Sequence, residues 1–115
     1  IRKSKMGLNL SRTNSVKYYT SNRISSLIGN GLMTFVDKRT QLNDFFDDDE
    51  VVFYKNIEDL SKKLKYYKDN DLKRKKIAKK GQHKYFKIFN NNIVCQYILN
   101  KIFNLKITNK QKWMN

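Results

Sequence analysis

The chain contains no proline, four glycines and one cysteine among its 115 residues. A disulfide framework and a zinc site built on paired cysteines are thereby excluded, as are collagen-like and proline-rich spacers. Its single histidine, His83, sits among lysines and has no partner motif for proton transfer or nucleophilic attack. Acidic residues are scarce: 10 Asp+Glu stand against 25 Lys+Arg, a formal charge of +15. No apolar run approaches the ~18 residues of a membrane span. The chain starts at Ile1, and its first five residues, IRKSK, lead into no apolar segment. No signal peptide is therefore expected, and the sequence reads as a fragment of a longer protein.

What is present points to a folded domain or part of one, since domains run to roughly 100–200 residues. The apolar fraction of 39% is low, but 13% aromatic residues argue against disorder. The charge is uneven. Residues 1–59 hold nine Lys/Arg and eight Asp/Glu, whereas residues 60–115 hold sixteen Lys/Arg and two Asp. Such asymmetry suits a polyanion or an anionic membrane surface. Lysine outnumbers arginine 20 to 5, however, and Asn (14) and Ile (10) are abundant too. All three have A/T-rich codons, so base composition alone produces this bias on solvated faces. Arginine is the preferred residue for bidentate phosphate and base-edge contacts, and the basic half contains only Arg74. Nucleic acid is not expected as a partner; peripheral contact with an anionic membrane remains compatible with the charge.

Periodicity then orders the chain. Residues 6–11 (MGLNLS) read as a short strand. After a polar loop at residues 12–17, Thr20 or Ser21 is expected to cap a helix whose apolar face is Ile24, Leu27 and Ile28. Gly29, Asn30 and Gly31 stop it, because Gly and Asn tolerate the left-handed backbone of a helix end. Residues 32–36 (LMTFV) are a continuous apolar run bounded by turn residues, the mark of a buried parallel strand. Residues 40–46 are expected to form a short helix with Leu42, Phe45 and Phe46 inward. Residues 47–50 (DDDE) form a solvated turn; they lack the alternating ligands and glycine of a calcium loop. Residues 51–54 read as a second buried strand. Asn56 caps the next helix, with Asp59 in a capping-box place and a stripe of Ile57, Leu60, Leu64 and Tyr67. Asp69, Asn70 and Asp71 break it. A long basic helix follows to about Phe89, with Ile77, Gly81, Tyr85 and Ile88 on one face. Asn90, Asn91 and Asn92 interrupt again, and a last helix over residues 93–103 carries Val94, Tyr97, Ile98 and Ile102. Residues 108–115 are expected to fray. Helical spacing makes Tyr66, Tyr67, Tyr85, Phe86 and Phe89 packing residues, and Cys95 reads as a core or inert thiol. Strands alternating with helices give an α/β class with a partial Rossmann-like parallel sheet, followed by a helical C-terminal region.

Three stretches taken together carry a resemblance: VKYYTSNRISSLIGNGLMTFVDKRTQLNDFF, EVVFYKNIEDLSKKLKYY and RKKIAKKGQHKYF. They resemble the C-terminal part of a glycosyltransferase with the two-Rossmann-domain (GT-B) fold, closest to spore-maturation CgeB-like domains. The likeness covers residues 6–99 and lies in the order of the pieces: a polar strand end, a helix closing before Gly31, a buried strand with a D-(K/R) exit, an acidic turn, a V-V-F-Y strand, an E-D-L helix and an I-A-x-x-G helix. It implies a GT-B C-terminal part over residues 1–90, a C-terminal helix over residues 91–107 that packs on an absent N-terminal half, and a frayed tail. It also implies a donor-binding domain that transfers a sugar from a nucleotide-sugar to an acceptor not identified by the sequence, without a metal or other cofactor. The fragment alone is expected to be inactive, and the protein to be cytoplasmic, with peripheral contact at the inner face of the membrane compatible with its charge.

In retaining relatives a Glu-(seven residues)-Glu motif spans the first helix. Counted back from Gly31, its positions are Tyr18 and Ser26, and neither is acidic. Between them, Tyr19, Thr20, Ser21, Asn22 and Arg23 replace a glycine-rich helix start. The resemblance assigns these five residues to the donor diphosphate, with backbone N–H groups and Arg23 as donors. Tyr18, Ser26, Ser11 and Arg12 are the further positions for ribose or sugar contacts. Residues 9–12 and 37–39 end the first two strands and are expected to line one crevice. Two rivals remain: a basic module that docks on nucleic acid or anionic membrane, and a non-catalytic domain that keeps the fold.

Overall fold

The computed structural model describes residues 3–13, 15–108 and 110–114. Ile1, Asn14 of the polar loop, and Asn109 and Asn115 of the expected tail lie outside the described residues. Three parallel strands form one sheet: β1 (Met6–Asn9), β2 (Met33–Asp37) and β3 (Val52–Tyr54), in the order β1-β2-β3. Met6 pairs with Met33 and Phe35 with Val52. The helices are α1 (Arg23–Gly29), α2 (Ile57–Asp69), α3 (Asp71–Phe89) and α4 (Asn91–Ile102). The α/β class with a partial Rossmann-like sheet and a helical C-terminal region is what the sequence pattern implies.

The central strand explains the layering. All five residues of β2 are buried, as expected for a parallel strand covered on both faces. Side chains alternate across the sheet. Val36 joins Ile24, Ile28, Leu42, Phe46, Val51, Phe53 and Ile88 in one core. Met33 and Phe35 join Val52, Tyr54, Leu60, Ile77 and Ala78 in the other. Helix α3 contributes to both cores and crosses between them at Gly81. A Cβ there would lie 2.2 Å from the Glu50 carbonyl oxygen, so only glycine lets the helix pass the backbone just before β3. Arg74, near the start of α3, is buried and bonded to Asp71 and to the Tyr67 carbonyl.

Local stop signals work as their chemistry dictates. Gly31 sits at φ +73°, its N–H bonds the Ile28 carbonyl at 2.9 Å, and Leu32 N–H bonds the Leu27 carbonyl at 3.0 Å. This is the paired bonding of a Schellman helix end. Asn56 accepts from Asp59 N–H at 2.8 Å, while the Asp59 carboxylate accepts from Lys55 N–H at 3.0 Å. Asn90 caps α4 by accepting from Ile93 N–H at 3.0 Å.

Several expectations are corrected. Residues 40–46 are not one helix but two three-residue 3-10 turns, Lys38–Thr40 and Leu42–Asp44, split by Gln41 at φ +58°. A left-handed residue cannot continue a right-handed helix. Ile57 is 72% exposed because it opens α2, ahead of the turn where the helix meets the sheet. Tyr66 and Phe86 are exposed, whereas Tyr67, Tyr85 and Phe89 are half-buried. Cys95 is exposed and not in the core. In α4, Val94 and Tyr97 are half-buried, but Ile98 and Ile102 are exposed. The described end of the chain is not frayed. Trp113 Nε1 donates to the Ile88 carbonyl at 2.8 Å, its ring stacks on Phe89 at 5.6 Å, and Met114 is buried.

Candidate functional site

The carboxyl edge of the sheet is where ligands bind in open α/β folds, and here it is polar at each strand end. Asn9 closes β1, Asp37 closes β2 and Tyr54 closes β3; all three are buried. A buried polar group needs partners. Asn9 finds both on the chain entering α1: Nδ2 donates to Thr20 Oγ1 at 2.8 Å, and Oδ1 accepts from Ser21 Oγ at 3.3 Å. Thr20 and Ser21 therefore do not cap the helix, contrary to expectation. Asn22 occupies the cap position, and its side chain makes no cap bond.

That substitution of roles leaves donors open. The backbone N–H groups of Ser21, Asn22 and Arg23 find no acceptor among the described residues. Arg23 reaches back to the Leu10 carbonyl at 3.0 Å, and the Ser11 hydroxyl donates to the Tyr19 carbonyl at 3.4 Å. The β1–α1 connection is thus folded on itself, with Tyr19, Asn22 and Arg23 exposed and Thr20 and Ser21 half-buried. Tyr19, Thr20, Ser21, Asn22, Arg23 and Ser11 come together at the edge. Arg12 is exposed beside them.

Tyr18 and Ser26 are placed differently. Tyr18 sits at φ +62°, its N–H bonds the Thr40 carbonyl at 2.9 Å, and its hydroxyl donates to Asp44 at 2.6 Å. Its ring packs on Phe45 at 4.6 Å. The hydroxyl of Tyr18 and the ammonium of Lys17 hold the Asp44 carboxyl below the usual range. Tyr18 thus clamps the loop after β1 to the loop after β2. Ser26 is exposed on α1, and its carbonyl accepts from the Asn30 side chain at 2.7 Å.

At the end of β2, Asp37 accepts from Arg39 through both carboxylate oxygens, with Nη2 to Oδ2 at 2.6 Å. This bonding holds the Asp37 carboxyl below and the Arg39 guanidinium above their ordinary values. Lys55, which follows β3, lies beside this pair. Sequence spacing alone did not single it out, because only the register Asp37↔Tyr54 brings residues 38 and 55 to neighbouring exits.

Away from this edge, Asp47, Asp49 and Glu50 bring carboxylate oxygens within 4.8 Å of one another. Lys80 pairs with Asp49 and Lys84 with Glu50, which makes the cluster an anchor for α3. His83 is exposed. The basic half's only arginine, Arg74, is buried and so cannot read phosphate.

Residues 1–100 match the family model described as glycosyl transferase-like. The chain belongs to this glycosyl transferase-like family. No curated protein and no solved structure matches it. Membership implies sugar donors and acceptors in general as the class of substrate. None of the described helices is long and apolar enough to cross a membrane.

Proposed function

We propose that the chain is the donor-binding part of a GT-B-type glycosyltransferase and holds the diphosphate of a nucleotide-sugar at the β1–α1 connection. The observation that carries this reading is the set of N–H groups at Ser21, Asn22 and Arg23 that find no acceptor among the described residues, held at the carboxyl edge by the Asn9 bonds. Sugar transfer leaves negative charge on the departing nucleoside diphosphate. Fixed donors aimed at that charge lower the barrier because they need no reorganisation as it develops. Helix α1 has seven residues, so its dipole adds little. The individual N–H groups and the Arg23 guanidinium do the stabilising. This arrangement calls for no metal.

Tyr18 does not serve the sugar in this reading, because Asp44 takes its hydroxyl. Ser26, Ser11 and Arg12 remain as candidate contacts to ribose or sugar. No residue here is assigned the proton-transfer role. The C-terminal segment, residues 91–107, keeps the proposed role of packing against a second Rossmann-like half, which its exposed Ile98, Leu99 and Ile102 support.

Calorimetric titration of the complete protein with UDP and GDP tests the proposal. Saturable binding of one of them is expected, with little dependence on salt. A polyanion-binding module would instead bind nucleic acid or anionic vesicles and lose affinity steeply with salt. Absence of nucleotide binding contradicts the proposal.

A further inference from the structure

The exits of β2 and β3 build a second positive surface at the same sheet edge. Because Asp37 pairs with Tyr54, Lys38 and Lys55 leave the sheet side by side. Together with Arg39 and Gln41 they line a shallow depression of about 490 Å³. Arg39 is fixed from behind: its backbone N–H and Nε donate to Asp37 Oδ1 at 2.9 and 3.0 Å, and Nη2 donates to Oδ2. The Asp37 side chain is 7% exposed and that of Arg39 67% exposed. The carboxylate orients the guanidinium without covering it. Lys38 and Lys55 form no ion pair with any described residue. The Asp59 carboxylate, which accepts from the Lys55 N–H, is taken by Lys63 at 2.9 Å. Three cations thus line the depression, one of them held by a buried carboxylate.

We infer that this depression binds a single oxyanion, a phosphate or carboxylate, separate from the donor diphosphate and carried by the transferred sugar or by the acceptor. The inference rests on the donor reading for its identity as a substrate subsite. Neighbouring strands lie about 4.8 Å apart, so the end of β3 is roughly 10 Å from the end of β1. That separation sets the depression apart from the proposed diphosphate position. The oriented Arg39 supplies a planar donor edge that suits a carboxylate or phosphate, and the two lysines supply charge.

The test is calorimetric titration of the complete protein with UDP, UDP-glucose, UDP-glucuronate and glycerol 3-phosphate. The variants are a Lys38→Ala/Lys55→Ala double substitution, Arg23→Ala, and a control double substitution Lys65→Ala/Lys68→Ala on the exposed face of α2. All four lysines are exposed, so the fold should survive, which circular dichroism checks. The expected result is a loss of about tenfold or more, the scale for charged hydrogen bonds, in binding of UDP-glucuronate or of glycerol 3-phosphate when Lys38 and Lys55 are removed. Binding of UDP and UDP-glucose should be unchanged. Loss for UDP-glucuronate assigns the oxyanion to the donor sugar; loss for glycerol 3-phosphate assigns it to the acceptor. Arg23→Ala should weaken UDP and spare glycerol 3-phosphate. Lysine-dependent glycerol 3-phosphate binding without UDP binding would sustain the oxyanion site and sink the donor reading. UDP binding with no lysine-dependent effect on either acidic probe would overturn the inference, as would an equal loss in the control variant or no binding of any acidic probe.

Discussion

Asn9 and Thr20 are joined by a 2.8 Å hydrogen bond that ties the last residue of the first strand to the approach of the first helix. Asn9 is 1% exposed, so its amide must be satisfied from within. Thr20 and Ser21 provide this, and the N–H groups of Ser21, Asn22 and Arg23 find no acceptor among the described residues. One buried side chain thereby fixes the shape of the proposed donor cradle.

Replacing Asn9 with alanine removes two hydrogen bonds and leaves two partly buried hydroxyls without their partner. A loss of about 1–3 kcal/mol in stability is expected, measured by urea unfolding. UDP binding should weaken as well, because the connection loses its anchor. Unchanged stability and unchanged binding would show that the Asn9 bonds are incidental.

Gly81→Ala tests how α3 crosses the start of β3. The added methyl would meet backbone, not a yielding side chain, so helix or strand must shift. Overpacking of this kind costs about 1–3 kcal/mol, and the greater helix propensity of alanine recovers about 1 kcal/mol at most. A lower urea midpoint is expected; an unchanged or higher midpoint would mean that the close approach is not present in solution.

Trp113 is the chain's only tryptophan, so its fluorescence reports directly on the docking of residues 111–114. The emission should be blue-shifted in the native state and should move to longer wavelength on unfolding. Trp113→Ala removes the bond to the Ile88 carbonyl and the ring contacts with Phe89 and Tyr97. A loss of about 2 kcal/mol is expected for this half-buried ring, below the 3–5 kcal/mol of a fully buried one. Emission typical of free tryptophan in the native protein would contradict docking.

Much of the fold is legible in the sequence because its signals are local. The stripe of Ile24, Leu27 and Ile28, the stop at Gly31, the run before Asp37 and the cap at Asn56 each depend on residues a few positions apart. What escapes is decided at a distance. Thr20 and Ser21 look like caps until Asn9, more than ten residues away, claims them. The end of the chain looks like a tail until Trp113 meets Ile88, 25 residues earlier. Gln41 carries no glycine-like signal for its left-handed backbone. The candidate site follows the same division: the contiguous stretch from Tyr19 to Arg23 is singled out by the resemblance, whereas the diversion of Tyr18 to Asp44 and the approach of Lys55 to Lys38 come from loop contacts and strand register.

The Asp37 carboxyl is held below the ordinary aspartate value of 3.8, first by the hydrogen bonds from the Arg39 side chain. A carboxylate whose pKa is lower in the folded than in the unfolded state stabilises the fold above the unfolded value. That contribution is lost as pH falls below about 3.8 toward the depressed folded value. Asp37→Asn should therefore flatten the acid limb of the stability profile in that window while lowering stability at neutral pH. Parallel acid limbs in the two proteins, followed by circular dichroism, would show that Asp37 is not a linked group.

The central claim is that the open N–H groups before Ile24 receive a diphosphate. The most direct measurement is an amide-resolved NMR titration of the isotope-labelled protein with UDP, or with GDP if calorimetry favours it. The account predicts saturable shifts centred on the amides of Ser21, Asn22 and Arg23, weakened by Arg23→Ala. Saturable nucleotide binding that leaves those three amides unmoved, or no saturation at all, would contradict it.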